Sequence, residues 1–125
     1  MLNFLLVGLG GGVGAMTRYG VSLAMPAPQG AWPWATFMIN VTGSLLIGVL
    51  AGWVSAKGEA GEPWRLLLGV GVLGGYTTFS AYSLETLRLI ERNDVAGAAA
   101  YSVGSVLAGL TAVALGVAIA KRVIA

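Results

Sequence analysis

Apolar residues run through this chain in four long stretches, at residues 3–25, 34–56, 66–89 and 95–120, with most charged residues gathered between or near the ends of them. A helix that crosses a bilayer needs roughly 20 mostly apolar residues, so each stretch predicts one transmembrane helix. The four occupy most of the chain, which makes residues 1–125 a single four-helix transmembrane domain with no separate soluble part. The third stretch is interrupted. After the apolar run 66–73 comes Gly74-Gly75-Tyr76-Thr77-Thr78-Phe79-Ser80-Ala81-Tyr82-Ser83. Paired glycines followed by hydroxyls suit a lipid-crossing helix poorly, because backbone groups freed in hydrocarbon must be satisfied by protein, an ion or trapped water. The pattern predicts an all-α integral membrane protein whose third helix is broken near its middle, with an ion site at the break.

Composition agrees with that placement. The chain is 57% hydrophobic and 10% charged, with a mean hydropathy of +0.84, whereas soluble domains carry roughly a quarter charged residues. Residues 1–6 lack the basic segment of a secretory signal, so the first span is expected to stay in the mature protein. Cysteine and histidine are both absent, which excludes disulfides, thiolate or histidine metal sites and a histidine base. No nucleophile and base pair can be assembled from what remains, so an enzyme is not expected. The net charge of +2 comes from scattered basic residues that form no run suited to nucleic acid.

Charge bears instead on orientation. With a cytoplasmic N-terminus, Lys57, Arg65, Lys121 and Arg122 lie inside, against Arg18, Arg88 and Arg92 outside. Orientation follows the Lys/Arg bias between the two sides, and four against three gives almost none. One reading is a chain that inserts both ways and pairs as an antiparallel, two-fold homodimer; the other is a single orientation set by other signals. The pairs Gly8/Gly12, Gly10/Gly14, Gly48/Gly52 and Gly71/Gly75 let helix backbones approach closely in lipid, without specifying an interface.

Polar residues at membrane depth fall into stripes. Thr36, Asn40 and Ser44 recur every fourth residue on the second span, and Tyr101, Ser105 and Gly109 do so on the fourth. On the third, Phe79, Tyr82, Ser83 and Thr86 share one face. Hydrogen bonding between helices explains such stripes as well as a pore does. A cation relay would bring more acids inside, yet only Glu85 lies near these residues, and Glu59, Glu62, Glu91 and Asp94 read as loop positions. The donors suit an anion. Aromatic rings are positive at the edge, so Phe79 and Tyr82 can turn C–H edges to an anion while hydroxyls and an amide N–H complete its shell. Arg18 either draws anions toward a vestibule or snorkels to the headgroups.

With these residues in view, the chain resembles the Fluc (CrcB) family of fluoride channels along its whole length. Gly11-Gly12-Val13-Gly14-Ala15-Met16-Thr17-Arg18-Tyr19 is similar to the family's first-span signature. Pro33-Trp34-Ala35-Thr36-Phe37-Met38-Ile39-Asn40-Val41-Thr42-Gly43 is similar to its second-span motif, and Gly74 to Glu85 to its diagnostic third-span motif. Three positions depart from the pattern: Tyr82 stands where a second phenylalanine is usual, Gly109 where some members carry serine, and Ala35 where glycine is usual.

The resemblance implies four-helix subunits in an antiparallel dual-topology homodimer, multi-pass in the cell (inner) membrane, that passively and selectively exports fluoride through two pores. It implies pore-lining roles for Asn40, Thr78, Phe79, Ser80, Tyr82, Tyr101 and Ser105, and a vestibule charge at Arg18. It also implies a structural sodium ion at the dimer centre, held by the backbone carbonyls of Gly74 and Thr77 from both chains. Glu85 matches the family's acid, with a structural partner and a pore function both open. Competing expectations are a small dual-topology proton-coupled exporter, which would need an acid in the first span, and a non-transporting membrane subunit.

Overall fold

The computed structural model describes residues 1–124, and no β-strand occurs among them. Helix α1 spans Leu2–Ala24 and α2 spans Trp34–Lys57. Pro26, Pro28 and Pro33 explain the gap between them, since proline lacks an N–H and disfavours helix at the residue before it. Helix α2 ends at Gly58, whose φ of 58° and ψ of −136° leave the helical region at little cost without a side chain. A 3-10 turn, Gly58–Gly61, then leads into α3, Glu62–Trp64, with Pro63 in its first turn. The helix continues with π-helical winding over Arg65–Leu73 and regains α geometry in α4, Gly74–Tyr76.

At Thr77 the backbone is extended, with φ −78° and ψ 159°. Helix α5, Ser80–Glu91, resumes beyond it. Asn93 takes a left-handed φ of 61°, which asparagine tolerates better than most residues, and Asp94 accepts the Gly97 N–H at 2.8 Å. That contact caps the 30-residue α6, Val95–Ile124. Lys121 and Arg122 sit in its last turn, where positive charge complements the helix dipole.

Three helical runs are long and apolar enough to cross a membrane: Leu2–Ala24, Trp34–Glu91 and Val95–Ile124. The middle run is 58 residues long, and at 1.5 Å per residue it would extend about 87 Å if straight, far beyond a hydrocarbon core of about 30 Å. It doubles back at Gly58, so that Gly69 lies against Ile47 and Leu50 of α2.

Two tight helix pairs organise the packing. Helix α1 lies along the π-wound segment and α4, and α2 lies along α6. In the first pair Gly10 and Gly14 face the backbone of Leu67, Gly71 and Val72, while Gly75 faces the backbone of Gly11. In the second, Gly48 and Gly52 face Val113, Gly116, Val117 and Ala120. Lipid tails are as apolar as leucine, so close backbone contact must supply the cohesion here. Gly8 and Gly12 take no part, having nothing near the position of a side chain. Many large apolar side chains are left exposed, among them Phe4, Leu9, Val103 and Leu110, as suits a surface facing hydrocarbon.

These contacts separate two otherwise similar glycines on α1. A methyl group at Gly14 would strike the Val72 carbonyl, whereas one at Gly12 meets open space. Gly14→Ala is expected to lower stability by about 1–3 kcal/mol through overpacking, and Gly12→Ala to leave it unchanged or raise it slightly through helix propensity. Thermal unfolding in detergent compares the two; equal midpoints would contradict this packing.

Candidate functional site

The extended residue at Thr77 leaves the chain without its helical hydrogen-bond partners, and a side chain on another helix takes their place. In a continuous helix the Thr78 N–H would bond to the Gly74 carbonyl. Instead it donates to Asn40 Oδ1 at 2.9 Å, and Asn40 Nδ2 donates to the Thr78 carbonyl at 2.9 Å. One carboxamide thus pairs with both backbone groups of one residue, as a neighbouring strand would. The Thr77 N–H keeps its helical partner, and it and the Thr77 hydroxyl both donate to the Leu73 carbonyl, at 3.0 and 2.9 Å. The Thr78 hydroxyl accepts the Ala81 N–H at 3.2 Å, capping α5, and lies 3.4 Å from the Ser80 hydroxyl.

Arg18 fastens the same segment to α1. It is half-buried, and its Nε donates to the Gly75 carbonyl at 3.2 Å. A guanidinium at the C-terminal end of a half-helix also offsets the partial negative charge of its free carbonyls. The Gly74 and Thr77 carbonyls receive no hydrogen bond among the described residues.

An open cleft of about 470 Å³ adjoins the break. Asn40, Gly43, Ser44 and Ile47 of α2 line it, with Gly69, Leu73, Gly74, Thr77, Thr78, Phe79 and Tyr82 from the interrupted run and Ser105 and Val106 from α6. The Ser105 hydroxyl oxygen is buried and has no partner among the described residues, a costly arrangement for a polar atom in an apolar setting. A Cβ at Gly109 would lie 3.5 Å from the Ser44 hydroxyl, an ordinary contact distance. The Ser83 and Thr86 hydroxyls bond back to the Phe79 and Tyr82 carbonyls at 2.9 and 2.8 Å.

The two aromatic rings of the cleft differ. The ring of Phe79 is 79% exposed and has the Tyr82 ring beside it at 5.5 Å between centroids. Tyr82 is half-buried, packs on Tyr101 at 5.4 Å and donates its hydroxyl to the Ser102 carbonyl at 2.9 Å.

Behind Tyr82 lies a second polar group. Glu85 accepts from the Thr36 hydroxyl at 2.8 Å on one carboxyl oxygen and from the Tyr101 hydroxyl at 2.9 Å on the other. Tyr101 is fully buried and Thr36 is 8% exposed. Trp32, from the loop before α2, closes the group by standing edge-on to Tyr101 at 5.1 Å. The carboxyl thereby ties α2, α5 and α6 together.

Of the residues singled out from sequence, the structure brings Asn40, Gly74, Thr77, Thr78, Phe79, Tyr82 and Ser105 to one cleft. Ser80 is exposed beside it, touching the Thr78 hydroxyl. Tyr101 lies behind the wall on Glu85, and Arg18 reaches the break from α1. Ser44 was not among the candidates, although its four-residue spacing from Asn40 put it on their stripe. The stripe serves three purposes: Thr36 binds Glu85, Asn40 binds Thr78, and Ser44 lines the cleft.

This is a helical membrane protein with a polar cleft built around a non-helical turn inside a long apolar run. The chain belongs to the CrcB family: the family model described as CrcB-like protein, Camphor Resistance (CrcB), matches residues 5–117. It is 52% identical over 120 residues, 94% of each chain, to a protein of Novosphingobium aromaticivorans named fluoride-specific ion channel FluC. Proteins of the same name from Phenylobacterium zucineum and a Caulobacter species are 51% and 46% identical, the matches covering all of each chain and 98% of each chain. These relatives are named as channels, a non-enzymatic class.

The tie at Glu85 generates a stability prediction. Removing one of its two donors leaves a carboxyl oxygen unpaired at a cost of about 1–3 kcal/mol, whereas removing every polar partner together is close to neutral. Thr36→Val is expected to lower the thermal midpoint, and the triple variant Thr36→Val, Glu85→Leu, Tyr101→Phe to recover part of the loss. A single variant as stable as the parent would contradict the tie.

Proposed function

We propose that this protein is a passive, selective fluoride channel that exports the ion across the cell membrane. The observation that carries the reading is the cleft itself. An unpartnered Ser105 hydroxyl, the Ser44 hydroxyl and the rings of Phe79 and Tyr82 converge there beside a backbone turn that Asn40 holds open. Fluoride is small and strongly hydrated, so a path for it must replace water with short donors, while narrowness rejects larger halides. Ring edges supply positive character without a competing charge. The names of the relatives, fluoride-specific ion channel, point the same way.

In this reading the chain crosses the inner membrane four times, as α1, α2, the interrupted helix from α3 to α5, and α6. Two copies associate in opposite orientations, as the near-equal basic charge of the two sides permits. The exposed Phe79 ring would face the second copy and complete its path there. The Gly74 and Thr77 carbonyls of both copies would hold a structural sodium ion on the dimer axis, as unwound helices hold cations elsewhere. Its positive charge would lower the cost of bringing an anion nearby. Glu85 has both oxygens engaged by Thr36 and Tyr101, which disfavours proton-coupled export through the one interior acid.

Purified protein in liposomes loaded with fluoride is expected to release it without a proton gradient and to retain chloride under the same conditions. Phe79→Ile is expected to abolish release while leaving the protein folded. A fluoride-selective electrode that records no release above protein-free vesicles refutes the reading; undiminished release by Phe79→Ile refutes the path.

A further inference from the structure

Helices α5 and α6 are fastened by three successive contacts that approach the cleft. Farthest from it, Leu89 and Ala98 meet in a buried apolar cluster. Next, Glu85 accepts the Tyr101 hydroxyl, and nearest the cleft Tyr82 donates to the Ser102 carbonyl. Beyond that last contact Phe79 and Ser105 both line the cleft, and the Ser105 hydroxyl has no partner among the described residues. The anchor is favourably placed, since Ser102 lies three and four residues before Ser105 and Val106 and therefore on the same face of α6. A carbonyl oxygen has two lone pairs, so Ser102 can take the phenol without giving up its helical partner.

From this arrangement we infer that Tyr82 is a positioning residue for the ion path: its hydroxyl fixes the distance between its own ring and the Ser105 hydroxyl. The inference rests on the channel reading of the cleft. The Tyr82 ring is confined at three points, by Phe79, by Tyr101 and at its tip by Ser102. Its tip is tied by a hydrogen bond, whereas the exposed Phe79 ring has no such tie. A donor and a ring edge replace water around a small anion only at matched separation. Loss of the tether lets the first turn of α5 move away from α6 and spoils that match, although every group remains present.

The test is Tyr82→Phe, which removes one oxygen and keeps the ring, measured beside Ser105→Ala and the double variant in liposomes. Fluoride flux is recorded against concentration for each, with the thermal midpoint measured in parallel. Tyr82→Phe is expected to raise the half-saturating fluoride concentration about 2- to 10-fold, the equivalent of one net hydrogen bond, a larger proportional change than any in maximal flux. Ser105→Ala is expected to raise it too, and the double variant to be no worse than Ser105→Ala alone, because the tether acts through Ser105. Three results would each overturn the inference: half-saturation unchanged in Tyr82→Phe, a lowered midpoint and maximal flux as its sole effects, or single-variant effects that multiply in the double. A wild-type chain that passes no fluoride overturns the channel reading as well, whereas a conducting wild type matched by Tyr82→Phe overturns this inference alone.

Discussion

The architecture of the cleft depends on one paired interaction, the carboxamide of Asn40 against the backbone of Thr78. A peptide unit taken out of a helix in an apolar medium exposes a donor and an acceptor, each costly to leave bare. Asn40 supplies one acceptor and one donor in a rigid plane, which matches that need in a way no hydroxyl or carboxylate does. An aspartate would set a second oxygen against the Thr78 carbonyl, and a serine has a single oxygen on a shorter side chain in place of a separate donor and acceptor side by side. With Thr78 held, Thr77 can remain extended, and the carbonyls of Gly74 and Thr77 are left uncommitted beside the cleft.

Other contacts brace this pair from several directions. Arg18 reaches across from α1 to the Gly75 carbonyl, and the close approach of Gly10 and Gly14 to the π-wound segment holds α1 near enough for it to do so. Thr36, Glu85 and Tyr101 join α2, α5 and α6 on the far side. The second glycine contact, Gly48 on Gly116, sets the separation of α2 and α6, which carry Asn40 and Ser105 respectively. Small residues thus fix the helix spacings, and a few hydrogen bonds fix the non-helical turn within them. A cleft built in this way holds its polar groups in place in advance, the condition under which preorganised dipoles are effective.

Much of this was legible from residue type and spacing, and some was not. The segment from Gly74 to Ser83 stands out because its glycines and hydroxyls contradict the apolar run before it, and its neighbourhood holds most of the cleft. The stripe of Thr36, Asn40 and Ser44 follows from four-residue spacing alone. Spacing places side chains on a face but does not assign partners, so the three separate destinations of that stripe could not be read. Tyr101 illustrates the same limit. Its place beside Ser105 on one helical face suggested a shared lining, yet one turn along α6 is enough to carry it behind Tyr82 onto Glu85. The glycine pairs were equally ambiguous as a pattern: Gly10/Gly14 and Gly48/Gly52 meet other helices, and Gly8/Gly12 meet open space.

Hydrogen exchange at a single amide tests the central claim most directly. With the protein in lipid nanodiscs and its amides resolved by NMR, the Thr78 N–H is expected to exchange slowly, as a donor engaged in a half-buried hydrogen bond does. In Asn40→Ala the same amide is expected to exchange far faster, while amides in α6 are unchanged. A Thr78 amide that exchanges at one rate in both proteins would mean that Asn40 does not hold the turn, and the account of the cleft built on it would fall.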